Sequence, residues 1–412
     1  MKHAPVWIDA TRPAAGRRLW GMTLVERQVR ELALRGVDRV QVWASSQSRE
    51  KVEQLRSDFA RLYAVEVVFT EVPLEGLGAL LGRVAEPVLL LAGDAVYDER
   101  ILSRLLELGP GNIAAEERGA GALFLDAAAA RQVGKLWDES RVGSQPLTAL
   151  AQRADELGLV LHRPDDFEHY VPSLRLTMVP FAIGVGETDD LRPLDHLMYR
   201  RTFKGVIDAV ARYGYYHLVR WLTRQLSTTT LRPNFFTLLS MLCIWSAVPC
   251  FALGHLGWGA LVAWCGVLLD SVDGKLARLT LQLSDAMGAL EHLAAMPGLG
   301  LWYLALGWHF SSGELWSTQN MAAMTWVLLG AFLLDKIATG SFKSLYNREL
   351  FDYAPVDAVF HLIAGRRNMS LLLLTLGLAG GLAPESFVLI GLWTVFTLCF
   401  HLSRFAWIAV RR

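Results

Sequence analysis

The residues best suited to chemistry are two aspartates at the end of an apolar segment. Asp270 and Asp273 are three positions apart, which places both carboxylates on one face of a helix. A carboxylate at membrane depth is costly unless it pairs with a cation or faces water. Gly274 and Ala277 continue this face with almost no side chain, and Arg278 adds a charge suited to phosphate. The pattern indicates a site for a divalent metal and a diphosphate.

A third carboxylate, Glu291, lies near the start of the next apolar segment. The whole stretch, LLDSVDGKLARLTLQLSDAMGALEHLAA at 268–295, resembles the signature of the CDP-alcohol phosphotransferases. Their pattern is D-x-x-D-G-x-x-A-R followed by G-x-x-x-D-x-x-x-D, and the first half matches at every fixed position. The resemblance implies a membrane enzyme of phospholipid synthesis. Such an enzyme moves a phosphoalcohol from a CDP-alcohol to a hydroxyl acceptor and releases CMP.

The second half of the signature departs from the family pattern, and two registers are possible. Aligning on Ser284 places Met287 at the glycine, Glu291 at the third aspartate and Ala295 at the fourth. Aligning on Gly288 needs one extra residue and places His292 and Met296 at the two acidic positions. We prefer the first register because it keeps a carboxylate as the third metal ligand.

The resemblance implies roles for these residues and leaves one role open. Asp270, Asp273 and Glu291 would hold Mg²⁺ or Mn²⁺, Gly274 and Ala277 would let the cytidine approach, and Arg278 would bind phosphate. Neither register supplies the fourth aspartate, which is the general base in the family. His292 is a substitute base about 100° off the helix face, and Asp285 is another. The family also implies a homodimer.

Composition divides the 412-residue chain into unequal parts. It is 53% hydrophobic with a formal net charge of +0, which argues against a nucleic-acid partner. We predict an α/β domain at 1–200, an amphipathic juxtamembrane helix at 201–232, and an all-α transmembrane domain at 233–412. The last two would contact membrane lipids.

The first 200 residues alternate between short apolar runs and helical patterns, which favours a parallel sheet with crossover helices. The predicted strands are Val6–Ile8, Val40–Val42, Val65–Phe69 and Val88–Leu91, and the predicted helices are Thr23–Leu34 and Arg49–Tyr63. This layout resembles the nucleotidyltransferases that make activated alcohols. A similar domain precedes the membrane part of archaeal proteins that make both CDP-inositol and an inositol phospholipid.

The predicted nucleotide loop of this domain is poor in glycine. Residues 9–20, DATRPAAGRRLW, contain only Gly16, whereas a cradle of backbone N–H groups needs more glycine. Arg12, Arg17 and Arg18 would still meet phosphates, but a degenerate domain is the favoured interpretation. Asp94 follows a predicted strand and is either a metal ligand or a turn residue.

Six apolar segments follow, at about 235–253, 257–272, 286–308, 321–340, 369–383 and 386–408. The connections at 254–256, 309–320 and 384–385 contain no Lys or Arg, whereas the opposite connections are basic. This asymmetry predicts a multi-pass protein of the cytoplasmic (inner) membrane with both termini in the cytoplasm. Arg366-Arg367-Asn368 would either set this topology or bind the acceptor's phosphate. Asp335-Lys336 is interpreted as snorkelling, and His401 as isolated.

Two functions remain open from the sequence. The first is a metal-dependent membrane phosphotransferase. The second is a catalytically impaired family member that binds nucleotide or lipid as a scaffold, because Ala295 stands where the family has its base. A transporter is disfavoured, since the charged residues cluster on one side and leave no path across the midplane.

Overall fold

The computed structural model describes residues 4–72, 76–115, 120–140, 146–171, 174, 176–318 and 320–411. The chain forms two compact units. The first comprises residues 1–201 with the short segments 227–230 and 279–281, and the second comprises 202–226, 231–278 and 282–412.

The first unit is built on a seven-stranded sheet with the order β10-β8-β9-β6-β1-β4-β5. Its strands are β1 (Val6–Ala10), β4 (Arg39–Ala44), β5 (Glu66–Glu71), β6 (Val88–Ala92), β8 (Asn112–Ala115), β9 (Gly121–Leu125) and β10 (Val160–His162). Short pairs involve β2 (Arg18–Leu19), β3 (Met22–Thr23), β7 (Ala95–Tyr97), β11 (Tyr170–Val171), β12 (Leu176–Thr177) and β13 (Ala182–Gly184). The four predicted strands all exist and run parallel, while β9 is antiparallel to both neighbours.

The helices of the first unit are α1 (Leu24–Ala33), α2 (Arg49–Val52), α3 (Phe59–Leu62), α4 (Gly76–Leu81), α5 (Glu99–Leu108), α6 (Ala127–Ser140), α7 (Pro146–Ala151) and α8 (Arg192–Arg200). The α/β prediction is therefore confirmed. The single helix predicted over Arg49–Tyr63 is wrong, because the chain leaves the helix after Val52. The buried carboxylate of Glu26 accepts a hydrogen bond from the Arg56 backbone N–H at 3.1 Å and so competes with helix formation there.

The second unit is helical. After a π-helical turn at Val210–Gly214 it contains α9 (Tyr216–Ser227), α10 (Pro233–Ala252), α11 (Leu256–Leu279), α12 (Asp285–Phe310), α13 (Asn320–Tyr346), α14 (Pro355–His361), α15 (Arg367–Ala379) and α16 (Ala383–Val410). Among the described residues, α10, α11, α13 and α16 are long and apolar enough to cross a membrane, and α15 is a shorter apolar helix. The count of six spans stays a prediction.

Small residues let the apolar helices approach closely. A Cβ atom at Gly298 of α12 would lie 2.6 Å from Ile244 Cγ2 of α10, so only glycine fits this crossing. One turn later, Trp302 Nε1 donates to the Ile244 carbonyl at 2.7 Å. This packing fixes α10 against α12. Helix α11 packs closely on the same residue of α10, because a Cβ atom at Gly266 would lie 2.9 Å from Ile244 Cγ1.

Candidate functional site

The predicted metal-binding aspartates lie in the last three turns of α11. The helix ends at Leu279, and Gln282 N–H donates to the Ala277 carbonyl at 2.8 Å to close its end. The connection passes through Leu281 at φ 59°, and Ser284 caps α12 by accepting from Met287 N–H. A short, well-formed turn therefore follows directly after the signature residues.

Asp273 is the most deeply buried acid of this helix. It is 2% exposed, and its Oδ1 atom accepts the Gly274 N–H at 2.5 Å. Its Oδ2 atom is buried without a hydrogen-bond partner among the described residues. The Thr237 hydroxyl, from the second turn of α10, is a hydrogen-bonding group near this carboxylate, but it donates to the Pro233 carbonyl at 3.3 Å. A buried carboxylate oxygen without a donor is costly, so this atom indicates a missing cation or polar ligand.

Asp270 faces a cation from a different helix. Its Oδ2 atom accepts a hydrogen bond from Nη2 of Arg367, the first residue of α15. The two side chains are 15% and 21% exposed, so the pair is partly removed from water. Arg367 therefore does more than set topology. Sequence reasoning missed the pair because 97 residues separate its members and no spacing rule connects them.

Gly274 and Arg278 lie next to each other on the face that the signature predicts. A Cβ atom at Gly274 would lie 3.2 Å from Arg278 Nη2, so the guanidinium folds back over the glycine. Any side chain at position 274 would push this guanidinium away. The arrangement puts one guanidinium within a helical turn of both aspartates, which suits a phosphate beside a metal.

A hydrogen-bond network from the juxtamembrane segment supports Asp270 and Arg367. Asn368 is 8% exposed and donates through Nδ2 to Asp208 Oδ2 at 2.7 Å and to the Tyr215 hydroxyl at 2.8 Å. Ser271 Oγ donates to the same hydroxyl at 3.4 Å. The residue after Arg367 is thereby connected to the residue after Asp270. The P-N-x-x-T and signature motifs give no hint of this network.

Tyr215 keeps its proton at neutral pH. Burial raises the pKa of Tyr215 to about 12, and the nearby Asp208 carboxylate acts in the same direction. Its hydroxyl is therefore a neutral positioning group and not a general base.

Four predicted site residues fall outside the described part of the structure. The side chains of Asp285, Glu291, His292 and Ala295 are among those that it does not describe, although α12 includes all four positions. No group of three or more His, Cys, Asp or Glu suited to a metal occurs among the described residues. Asp270 and Asp273 alone supply two carboxylates of the type that Mg²⁺ and Mn²⁺ prefer.

A second buried acid in the membrane helices has a closed environment. Oδ1 of Asp335 on α13 lies 2.6 Å from Nδ1 of His401 on α16. Oδ2 of the same carboxylate lies 3.7 Å from Lys336 Nζ. His401 is therefore not isolated, and its interpretation as such is wrong. The two residues are 66 positions apart, so the sequence does not reveal the pair.

The three arginines predicted to meet phosphates, Arg12, Arg17 and Arg18, do not all lie near Asp94. Arg12 Nη1 lies 3.8 Å from Asp94 Oδ2, whereas Arg17 donates to the Gly186 and Asp189 carbonyls at 2.6 and 2.8 Å. Arg18 reaches Gln54 at 3.3 Å on the surface. Of these three arginines, Arg12 is therefore the candidate partner for a phosphate beside Asp94.

Comparison with known proteins identifies the second half of the chain. Residues 230–399 match the family model described as CDP-alcohol phosphatidyltransferase, which confirms the resemblance drawn from the signature. No curated protein sequence matches the chain.

The first half is similar to two solved nucleotidyltransferases. One is a glucose-1-phosphate thymidylyltransferase from Bacillus anthracis, with 10% identity and a TM-score of 0.34 over 47% of this chain and 95% of the other. The second is the inositol-1-phosphate CTP transferase from T. maritima, with 13% identity and a TM-score of 0.32 over 48% and 95%. Both similarities are distant and concern the fold alone.

Proposed function

We propose that this chain, whose residues 230–399 form a CDP-alcohol phosphatidyltransferase domain, is a membrane phosphotransferase that moves a phosphoalcohol from a CDP-alcohol to a hydroxyl acceptor. The observation that carries the proposal is the buried Asp273 Oδ2 atom, which lacks a hydrogen-bond partner among the described residues. It lies on a helix that also presents Asp270, Gly274 and Arg278. Such an oxygen fits a divalent cation.

Asp270, Asp273 and Glu291 would hold Mg²⁺ or Mn²⁺, which would neutralise the diphosphate and the departing CMP. Arg278 would bind a phosphate oxygen from its place over Gly274. Gly274 and Ala277 would let the cytidine approach the helix backbone. The helix thus orients the donor for attack, and positioning of this kind provides much of the catalysis in phosphoryl transfer.

The proposed reaction is a substitution at the β-phosphorus. The acceptor oxygen forms a new bond to this phosphorus while the bond to the oxygen bridging to the α-phosphorus breaks. CMP leaves with the bridging oxygen, and the acceptor's proton passes to a base or to water. Ala295 cannot take that proton, and His292 is the substitute we propose. Loss of a general base typically lowers a rate by about 10²–10⁴, so slow turnover is expected.

The remaining parts of the proposal concern organisation. We propose domains at 1–200, 201–232 and 233–412, with six spans, both termini in the cytoplasm and a homodimer in the membrane. The exposed side chains of Leu218 and Trp221 on α9 support a juxtamembrane helix that contacts lipid.

The test is release of CMP by the purified full chain in detergent with Mg²⁺ or Mn²⁺, a panel of CDP-alcohols and candidate acceptors. We expect release that depends on metal and disappears in Asp273→Asn. Thr375→Val is the matched control, because it changes a partly buried polar contact between α11 and α15 away from the aspartates. It should leave most of the release intact.

The same experiment tests the scaffold alternative, which Ala295 favours. Metal-dependent binding of CDP without CMP release from any donor would support a binding protein and reject the enzyme. Release that persists in Asp273→Asn would reject the proposed site.

A further inference from the structure

Arg367 and a divalent metal would compete for the same carboxylate. The guanidinium of Arg367 contacts Oδ2 of Asp270, one of the two oxygens of a carboxylate that the proposed function gives to the metal. A guanidinium and a dication on one carboxylate repel each other, especially where water is partly excluded. Each cation therefore weakens binding of the other to Asp270.

The network around Asn368 keeps the guanidinium near this carboxylate. Asn368 follows Arg367 at the start of α15 and is fixed by its bonds to Asp208 and Tyr215. These bonds restrain the first turn of α15, so a change of partner by Arg367 would come mainly from its long side chain. A side chain that swings by a few ångströms from a fixed backbone would still reach a diphosphate bound beside Asp270.

We propose that Arg367 is an exchangeable internal counter-ion, which neutralises Asp270 when no metal is bound and passes to the diphosphate of the donor when metal takes the carboxylate. This inference rests on the proposed function. The planar guanidinium suits both partners, because it forms paired hydrogen bonds with carboxylates and with phosphates alike.

The exchange couples the two ligands. Metal alone weakens the contact between Arg367 and Asp270 without compensation, whereas metal with a diphosphate gives the guanidinium a new partner. A CDP compound should therefore tighten metal binding, and metal should tighten binding of the CDP compound by the same factor. Removing the guanidinium should strengthen binding of metal alone and weaken this coupling.

The experiment measures Mn²⁺ affinity of the full chain in detergent, by electron paramagnetic resonance of free Mn²⁺, with and without CDP. In Arg367→Met, we expect Mn²⁺ alone to bind at least about fivefold tighter and the tightening by CDP to fall by a similar factor. Arg367→Lys keeps the charge and should stay close to the parent for Mn²⁺ alone.

Arg366→Met is the matched control. It removes the same charge one residue earlier, but Arg366 Nη1 contacts His361 Nε2 at 2.6 Å instead of Asp270. Its Mn²⁺ affinity should change by less than about twofold. Melting temperatures report whether each variant folds.

The outcomes separate the two proposals. If Arg367→Met binds Mn²⁺ like the parent, or if Arg366→Met tightens binding equally, the counter-ion exchange is wrong while the phosphotransferase proposal stands. If the parent shows no Mn²⁺ binding that Asp273→Asn removes, the metal site fails and both proposals fall.

Discussion

Two buried acids in the membrane helices have opposite surroundings. Asp335 pairs with His401 and Lys336, so each of its oxygens faces a cationic or hydrogen-bonding side chain. Asp273 has the Gly274 N–H on one oxygen and no hydrogen-bond partner for the other among the described residues. Asp335 connects α13 to α16, whereas Asp273 keeps one buried oxygen without a hydrogen bond from the described residues.

In the membrane helices, the presence of a charged residue does not by itself distinguish a structural role from a functional one. A charged residue within an apolar helix suggests function by default. Asp335 follows that pattern but is fully accounted for by its partners. Asp273 is not, because one of its buried oxygens has no hydrogen-bond partner among the described residues. The useful signal is therefore an unsatisfied buried atom, and the predictions below test this contrast.

The largest effect is expected from Asp273→Asn. CMP release should fall by roughly 10³-fold or more, the scale seen when one group that stabilises charge is removed from a phosphoryl-transfer site. Stability should stay equal or rise, because the variant removes a buried charge that lacks a full set of partners. Release assays and melting temperature in detergent measure both. A drop in melting temperature with unchanged release would reverse the assignment of Asp273.

Asp335→Asn should show the opposite pattern. It leaves His401 without its anionic partner in a buried site, and breaking such a pair costs about 3 kcal/mol. We expect a lower melting temperature while the metal concentration needed for half-maximal CMP release stays unchanged. The double variant Asp335→Leu with His401→Leu should recover part of the stability, because no buried imidazole then lacks its carboxylate partner. Lys336 also loses that partner, but its side chain is 33% exposed and can be hydrated. A changed metal requirement in Asp335→Asn would place this pair in the site.

Features that depend on residues close together in the chain could be predicted from the sequence. The spacing of Asp270, Asp273 and Arg278 depends only on helical periodicity, and the parallel strands depend on short apolar runs. The pairs Asp270–Arg367 and Asp335–His401 could not be predicted, because each joins helices far apart in the chain. The break in the helix after Val52 was equally invisible, since a buried glutamate from α1 causes it.

A smaller effect on stability is expected from the pH dependence of His361. Burial lowers the pKa of His361 to about 2, and the neighbouring Arg366 charge acts in the same direction. The unfolded chain takes up a proton near pH 6.5 and the folded chain does not, so this contribution to stability is present above pH 6.5 and is lost as the pH falls. At pH 5.5 the loss is about 1.4 kcal/mol.

His361→Gln removes this sensitivity if the burial of a neutral imidazole is its cause. Melting temperatures at pH 7.5 and 5.5 should differ less for the variant than for the parent protein. An equal difference in both proteins would show that other groups cause the loss of stability.

The smallest effect is expected from Tyr215→Phe. The variant removes one of two acceptors for the Asn368 amide, and a neutral hydrogen bond contributes about 1 kcal/mol to stability. Because the first turn of α15 then holds Arg367 less firmly, the KM for the CDP-alcohol should also rise. The melting temperature and the KM of the same preparation measure the two effects.

Thr375→Val provides the comparison that separates these effects. Trp264 Nε1 donates to Thr375 Oγ1 at 2.9 Å, and this bond joins the same two helices as the Asn368 network. The two links lie seven residues apart on each helix (264 to 271 and 368 to 375), about 10.5 Å. Both variants should lose similar stability, but only Tyr215→Phe should raise the KM. Equal KM values would mean that the network near Asp270 holds helices together and does not position the site.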